Sequence, residues 1–182
     1  MDYLEAGWKH FKTITMHRML VCEGCFKVGL YYQGLVHDLS KYNPVEFMTG
    51  VKFFQGDRSP NAAERDAIGY SMAWLHHKGR NYHHNEFWVD FGRDFPNGVR
   101  GVKMPLKYLV ENYMDRVAAC KVYQKEKYTD RSAWEYFDRS RNYIIMHPES
   151  RKMLEKMLLI LANKGEDEAN RYIRHLLKKG TY

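Results

Sequence analysis

His37-Asp38-Leu39-Ser40-Lys41 is the stretch from which the rest of this chain can be read. A His-Asp dipeptide sets an imidazole beside a carboxylate, a ligand pair that suits Zn, Fe, Mn, Ni or Co better than Ca. Lys41 follows His37 by four residues, one turn away if the stretch is helical. A dipeptide alone is weak evidence, but its company is unusual. His17 lies upstream, His76-His77 and His83-His84 lie downstream, and Asp115 comes later still. Six of the nine histidines therefore fall into these groups, leaving His10, His147 and His175 outside. We expect the groups to converge on a centre holding one or two divalent transition-metal ions.

Hydrophobic spacing around this stretch is helical. Leu4, Trp8, Phe11, Ile14 and Leu20 recur at roughly helical intervals, so residues 1–35 read as helix, loosened near Gly29 and Gly34. Cys22 and Cys25 form a Cys-x-x-Cys. With no second pair and Cys120 remote, they read as two packed helix cysteines rather than a zinc or redox site. Asn43 is a candidate cap and Pro44 a candidate first residue for a short helix over 45–54. A loop is expected over 55–61 and a helix over 62–79, with Gly79 and Asn81 making a turn between the two histidine pairs. Residues 92–103, with Gly92, Pro96, Gly98 and Gly101, read as a long exposed loop able to cover a site.

Met104-Pro105 opens the clearest helix, to about residue 128. On it Tyr108, Glu111, Asp115, Ala118, Ala119 and Val122 share a stripe, and a carboxylate in such small, apolar company implies a partner. Three amphipathic segments follow, over 133–145, 149–163 and 166–179. No alternating strand pattern of useful length, internal repeat or low-complexity tract interrupts the series. The expected fold class is all-α, as a single compact multi-helix domain over 1–182.

Composition sets the outer limits. A chain of 182 residues with 45% hydrophobic content can bury a core, and 14 Tyr, 9 Phe and 4 Trp argue against extensive disorder. No apolar run approaches the roughly 20 residues of a membrane span. The first residues lack the layout of a signal peptide, and three cysteines fit a reducing compartment, so a cytoplasmic protein without a membrane partner is expected. A formal net charge of +7 points to an anionic partner, a phosphoester or nucleotide before nucleic acid, for which no motif of specific spacing is present.

The order His17, His37-Asp38, the later histidines, then Asp115 resembles the HD superfamily of metal-dependent phosphohydrolases, and His-Asp-Leu-Ser-Lys matches its His-Asp-x-x-Lys form. The chain also looks like a member of an uncharacterised bacterial and phage family of unknown function. That likeness runs through His-Asp-Leu-Ser-Lys-Tyr, Trp74 to Lys78, Asn81 to His84, Met104-Pro105 and Asp115. The resemblance implies an HD-like helical domain in which His17, His37, Asp38 and Asp115 hold a first metal. Asp38 would bridge to a second, held by histidines among His76, His77, His83 and His84. It further implies Lys41 as a residue orienting water or phosphate, and Lys78 and Arg80 become candidate phosphate clamps. Glu46 and Glu111 are candidates for proton transfer or for support behind the ligands. The expected activity is hydrolysis of a small phosphoester, with a di-iron oxygenase on the same scaffold and a non-catalytic, metal-stabilised binding protein as the alternatives.

Overall fold

The computed structural model describes residues 2–182, and the chain is all-α with one very small sheet. Helix α1, Tyr3–Val28, ends at Gly29, whose φ of 89° lets its N–H turn back to Cys25 and Phe26. A short α2, Tyr31–Val36, leads through the His37-Asp38 turn into a 3-10 turn at Leu39–Tyr42. Helix α3, Pro44–Lys52, starts as expected, with Asn43 accepting from the Val45 N–H and Pro44 in the first turn.

The expected helix over 62–79 is two helices, α4 (Pro60–Ile68) and α5 (Met72–Lys78), parted at Gly69 with a φ of 86°. Ser71 then caps α5 by accepting from the Trp74 N–H. The expected 92–103 loop is the core of a hairpin, in which β1 (Val89–Phe91) pairs antiparallel with β2 (Val99–Gly101). Three-residue strands are too short for an alternating pattern to register. A Cβ on Gly101 would stand 2.4 Å from the His147 backbone nitrogen, so the hairpin seats against Met146-His147. Helix α6 is Leu106–Gln124, followed by α7 (Ser132–Ser140), α8 (Pro148–Lys164) and α9 (Glu166–Lys179).

The core joins the second half of α1 to α6, α7, α8 and α9 through residues such as Val21, Leu109, Phe137, Leu158 and Ile173. Cys25 and Cys120 are buried in it and Cys22 is half-buried; all three thiols are free. Helix α1 does not bury the stripe that its largest side chains suggest. Ala6, His10, Ile14, His17, Val21, Cys25 and Val28 face inward, while Leu4, Trp8 and Phe11 are exposed. The inward face has small side chains and two histidines, which let neighbouring backbones approach closely. On this face α3 packs so tightly that a Cβ at Gly50 would lie 2.1 Å from His10 Nε2. Helix α1 also contacts α2 and α6, and α3 contacts α5, so the elements bearing histidines and acids share one side of the molecule.

His10 is therefore a core histidine, wedged between Gly50 and the rings of Phe47 and Phe54. Burial, helped by the charge of Lys41, lowers its pKa to about 4 from 6.5. A folded pKa below the unfolded one contributes stability above pH 6.5 that is lost as pH falls toward 4. The stability of the parent relative to a His10→Leu variant should fall by about 2 kcal/mol between pH 7 and pH 5. Urea titrations of both proteins at the two pH values measure this. A pH-independent difference would show that His10 titrates normally.

Candidate metal centre

The His37-Asp38 turn is held open by backbone geometry and one arginine. Asp38 adopts a left-handed conformation, φ 53° and ψ 26°, which for a non-glycine residue costs on the order of 1 kcal/mol. Arg18 on α1 secures the turn, donating from Nε to the His37 carbonyl (2.7 Å) and from Nη2 to the Leu35 carbonyl (3.1 Å). Its guanidinium also lies over the Tyr42 ring, and the Tyr42 hydroxyl bonds Thr15 at 2.9 Å. Nothing in the sequence marked Arg18, because its partners are backbone carbonyls at the end of α2.

The turn aims the Asp38 carboxylate, with no solvent exposure, into a ring of imidazoles. On one side Oδ2 lies 3.7 Å from His17 Nε2 and 3.4 Å from His37 Nε2. Asp115 Oδ1 completes this set, 2.9 Å from His17 Nε2 and 3.5 Å from His37 Nε2, while the two Nε2 atoms are 3.4 Å apart. On the other side Oδ1 lies 3.2 Å from His77 Nε2 and 3.4 Å from His83 Nε2, and His84 joins that group. Helix α1 brings His17, the turn His37 and Asp38, α5 His77, the segment after α5 His83 and His84, and α6 Asp115.

These residues fit a metal. Ligands about 2.1 Å from one ion sit roughly 3.0 Å apart in octahedral and 3.4 Å apart in tetrahedral arrangement, the range seen here. Neither Asp38 oxygen has a partner in hydrogen-bond geometry, Oδ2 meeting only the Lys41 ammonium as an ion pair, nor do His83 Nε2 and His84 Nε2, although all are buried. Buried polar atoms without partners are rare. A cluster of four around one carboxylate is a donor set for cations. Two such groups, each able to hold a cation, share Asp38.

The carboxylates behind the imidazoles orient them. Glu111 Oε1 lies 2.9 Å from His37 Nδ1 and 3.2 Å from His83 Nδ1. Glu46 Oε2 lies 2.7 Å from His77 Nδ1. Each contact places a proton on Nδ1 and leaves the Nε2 lone pair facing the centre, as in carboxylate–histidine–metal triads. Glu46 and Glu111 thus stand behind the ligands. Asn81 Nδ2 and Asn112 Nδ2 brace the same histidines by donating to the His77 and His83 carbonyls, both at 2.8 Å.

The protein's own charges pull in opposite directions here. Burial resists charge on His37, but Asp38, Asp115 and Glu111 overcome it and raise the pKa to about 9, so a cation entering the centre would have to displace a proton from Nε2 before that lone pair is available. Burial likewise resists ionisation of Asp38, yet His37, Lys41 and His77 hold it well below the usual carboxylate range. His84 is held neutral by burial and by the neighbouring imidazoles, so one of its two ring nitrogens keeps a lone pair.

Two expected site residues lie elsewhere. His76 turns its Nδ1 to Glu46 Oε1 at 2.6 Å and is not in either donor set, because consecutive residues on α5 point about 100° apart. Arg80 is exposed and donates to the His76 carbonyl at 3.2 Å, so it does not reach the cluster as a phosphate clamp. Lys78 is half-buried. Lys41 is the cation that touches the centre, with Nζ 2.7 Å from Asp38 Oδ2 and its side chain 25% exposed. Asp115, 17% exposed, is the most accessible of the grouped ligands. The centre therefore opens toward Lys41 and Asp115.

A family model described as a family of unknown function (DUF5662) matches residues 6–160, from α1 through most of α8. No curated protein and no solved structure matches the chain. No helix among the described residues is long and apolar enough to cross a membrane.

Glu111→Ala should weaken metal binding by roughly 10- to 100-fold, since it releases imidazoles of both donor sets. Glu111→Gln, which keeps an acceptor, should fall between parent and alanine variant. Titration against a chromophoric chelator measures both, and unchanged affinity in Glu111→Ala would refute the supporting role.

Proposed function

The chain belongs to that family, and we propose that it is a divalent-metal-dependent phosphohydrolase of the HD type, acting on a small phosphoester such as a nucleotide. The observation that carries this reading is the Asp38 carboxylate, each of whose oxygens faces a separate set of imidazoles. His17, His37, Asp38 and Asp115 would hold one ion, and Asp38, His77, His83 and His84 the other. Mn, Fe, Co, Ni and Zn all suit such imidazole and carboxylate donors. Bound there, the ions supply a water acidified toward neutrality and positive charge for the phosphoryl oxygens.

The chain's own residues supply the rest. Lys41, on the open side, carries a fixed positive charge within reach of an anion bound at the centre; burial opposes that charge, but the carboxylates of Asp38 and Asp115 outweigh it and keep the amine protonated. Glu111 and Glu46 fix the imidazole tautomers, so the ions would meet ligands already oriented. The walls of the centre are buried on every side but that of Lys41 and Asp115, which limits access of bulk water. An anionic substrate also matches the net charge of +7.

Elemental analysis of protein purified without a histidine tag tests the reading, together with assays on nucleotides and simple phosphomonoesters. The parent should carry about one to two equivalents of transition metal. Asp38→Ala, which removes the ligand common to both sets, should lose metal and activity together. Lys41→Ala should keep metal and lose about 10- to 100-fold in kcat. Failure to bind Mn, Fe, Co, Ni or Zn after reconstitution would end the metal reading. Bound iron with substrate-dependent oxygen uptake and no phosphate release would end the hydrolase reading alone.

A further inference from the structure

The apolar stripe of α1 that stays outside has a definite shape. Leu4, Trp8, Phe11, Met19 and Phe26 are spaced three, four, seven or eight residues apart, so they line one side of the helix. They are exposed by 81%, 58%, 38%, 63% and 41%. Trp8 stacks on Phe11 and Phe26 meets Tyr31 edge-on, so the side chains are gathered against the surface. Helix α2 widens the face with Tyr32 and Leu35, also mostly exposed, and the segment 28–36 carries no charged residue.

These residues leave on the order of 1,000 Å² of mainly apolar surface, given the 150–250 Å² that a large aromatic side chain offers. Monomeric proteins rarely leave more than about 300–600 Å² in one patch. A stable interface needs about 800 Å² from each partner. We propose that this face is the interface of a homodimer in which two α1 helices pack antiparallel about a two-fold axis near Thr15.

Charge along the flank of the stripe favours a second copy in that orientation. The flank runs Glu5, Lys9, Lys12, Glu23, Lys27, with Lys9 paired to Glu5 and Lys27 to Glu23 and Glu166 within one copy, exposed pairs that can exchange partners across a contact. On an antiparallel copy the order reverses, so Lys9 and Lys12 approach the other copy's Glu23, and Glu5 approaches the other copy's Lys27. A two-fold contact is self-complementary in this sense, each surface meeting itself reversed. A lipid surface would instead call for a uniformly basic rim, and this rim alternates in sign. The helix is about 39 Å long, enough to hold the whole stripe in one contact.

Sedimentation of the purified full chain, from low micromolar to about 100 µM, reads the association directly, because an interface of this size gives dimers in or below that range. The parent should sediment as a dimer. Trp8→Glu with Met19→Glu should raise the dimer dissociation constant by about tenfold or more, with unchanged far-ultraviolet dichroism and metal content. Both side chains point outward, so folding is not at stake. Glu23→Lys should weaken the dimer, and adding Lys9→Glu and Lys12→Glu should restore it, a rescue that only the antiparallel register gives. A parent monomeric at the highest concentration overturns the proposal. So does a dimer indifferent to these substitutions, or a monomer that binds neutral or anionic lipid vesicles through Trp8.

Discussion

A carboxylate with no access to water is the constraint on which this molecule depends. An ionised carboxylate placed in a protein interior loses several kcal/mol of hydration, which must be recovered from partners. At Asp38 two partners, His37 and Lys41, come from its own turn, and three come from distant places in the chain: His17 on α1, His77 at the end of α5, and His83 beyond it. No local segment could assemble them. The packing of α1 against α2, α3 and α6 is therefore also the assembly of the charge around Asp38. The strained backbone at Asp38 and the Arg18 clamp belong to the same arrangement, because a relaxed turn would aim the carboxylate elsewhere.

How much of this was legible from residue order differs from element to element, for physical reasons. The residues that cluster around Asp38 stood out because histidines next to acids are uncommon in an apolar setting. The helices of the last third were legible because amphipathic spacing and the breakers Pro148 and Gly165 agree. The inward face of α1 was not legible. Two stripes run along that helix, one of large aromatic residues and one of small residues and histidines, and helical spacing alone does not choose between them. Close packing selects the small stripe, since His10 against Gly50 and Gly34 against Cys22 and Cys25 allow backbone approach that tryptophan would prevent.

The doublets show a finer limit. His76 and His77 lie on a helix, so adjacency in sequence separates their directions and only His77 faces Asp38. His83 and His84 lie outside any α-helix and both face inward, their rings 4.1 Å apart at the centroids. Which pattern holds depends on whether the backbone is helical at that point, and a boundary shifted by one or two residues reverses the answer. The supporting residues were hardest to see. Arg18 acts through carbonyls that any residue type would provide, and Asn81 and Asn112 likewise act through backbone atoms.

The two donor sets are joined twice, in front and behind. In front, Asp38 gives one oxygen to each set; behind, a single Glu111 oxygen receives the Nδ1 of His37 from one set and of His83 from the other. An ion drawn into one set would pull on both shared carboxylates. It would also fix the tautomer of an imidazole whose neighbour, with ring centroids 4.4 Å away, lines the other set. In a close-packed interior such a pull would have nowhere else to go. Positions that share their charge and their supports would not have independent affinities, so ions held by the two donor sets would bind as a coupled pair.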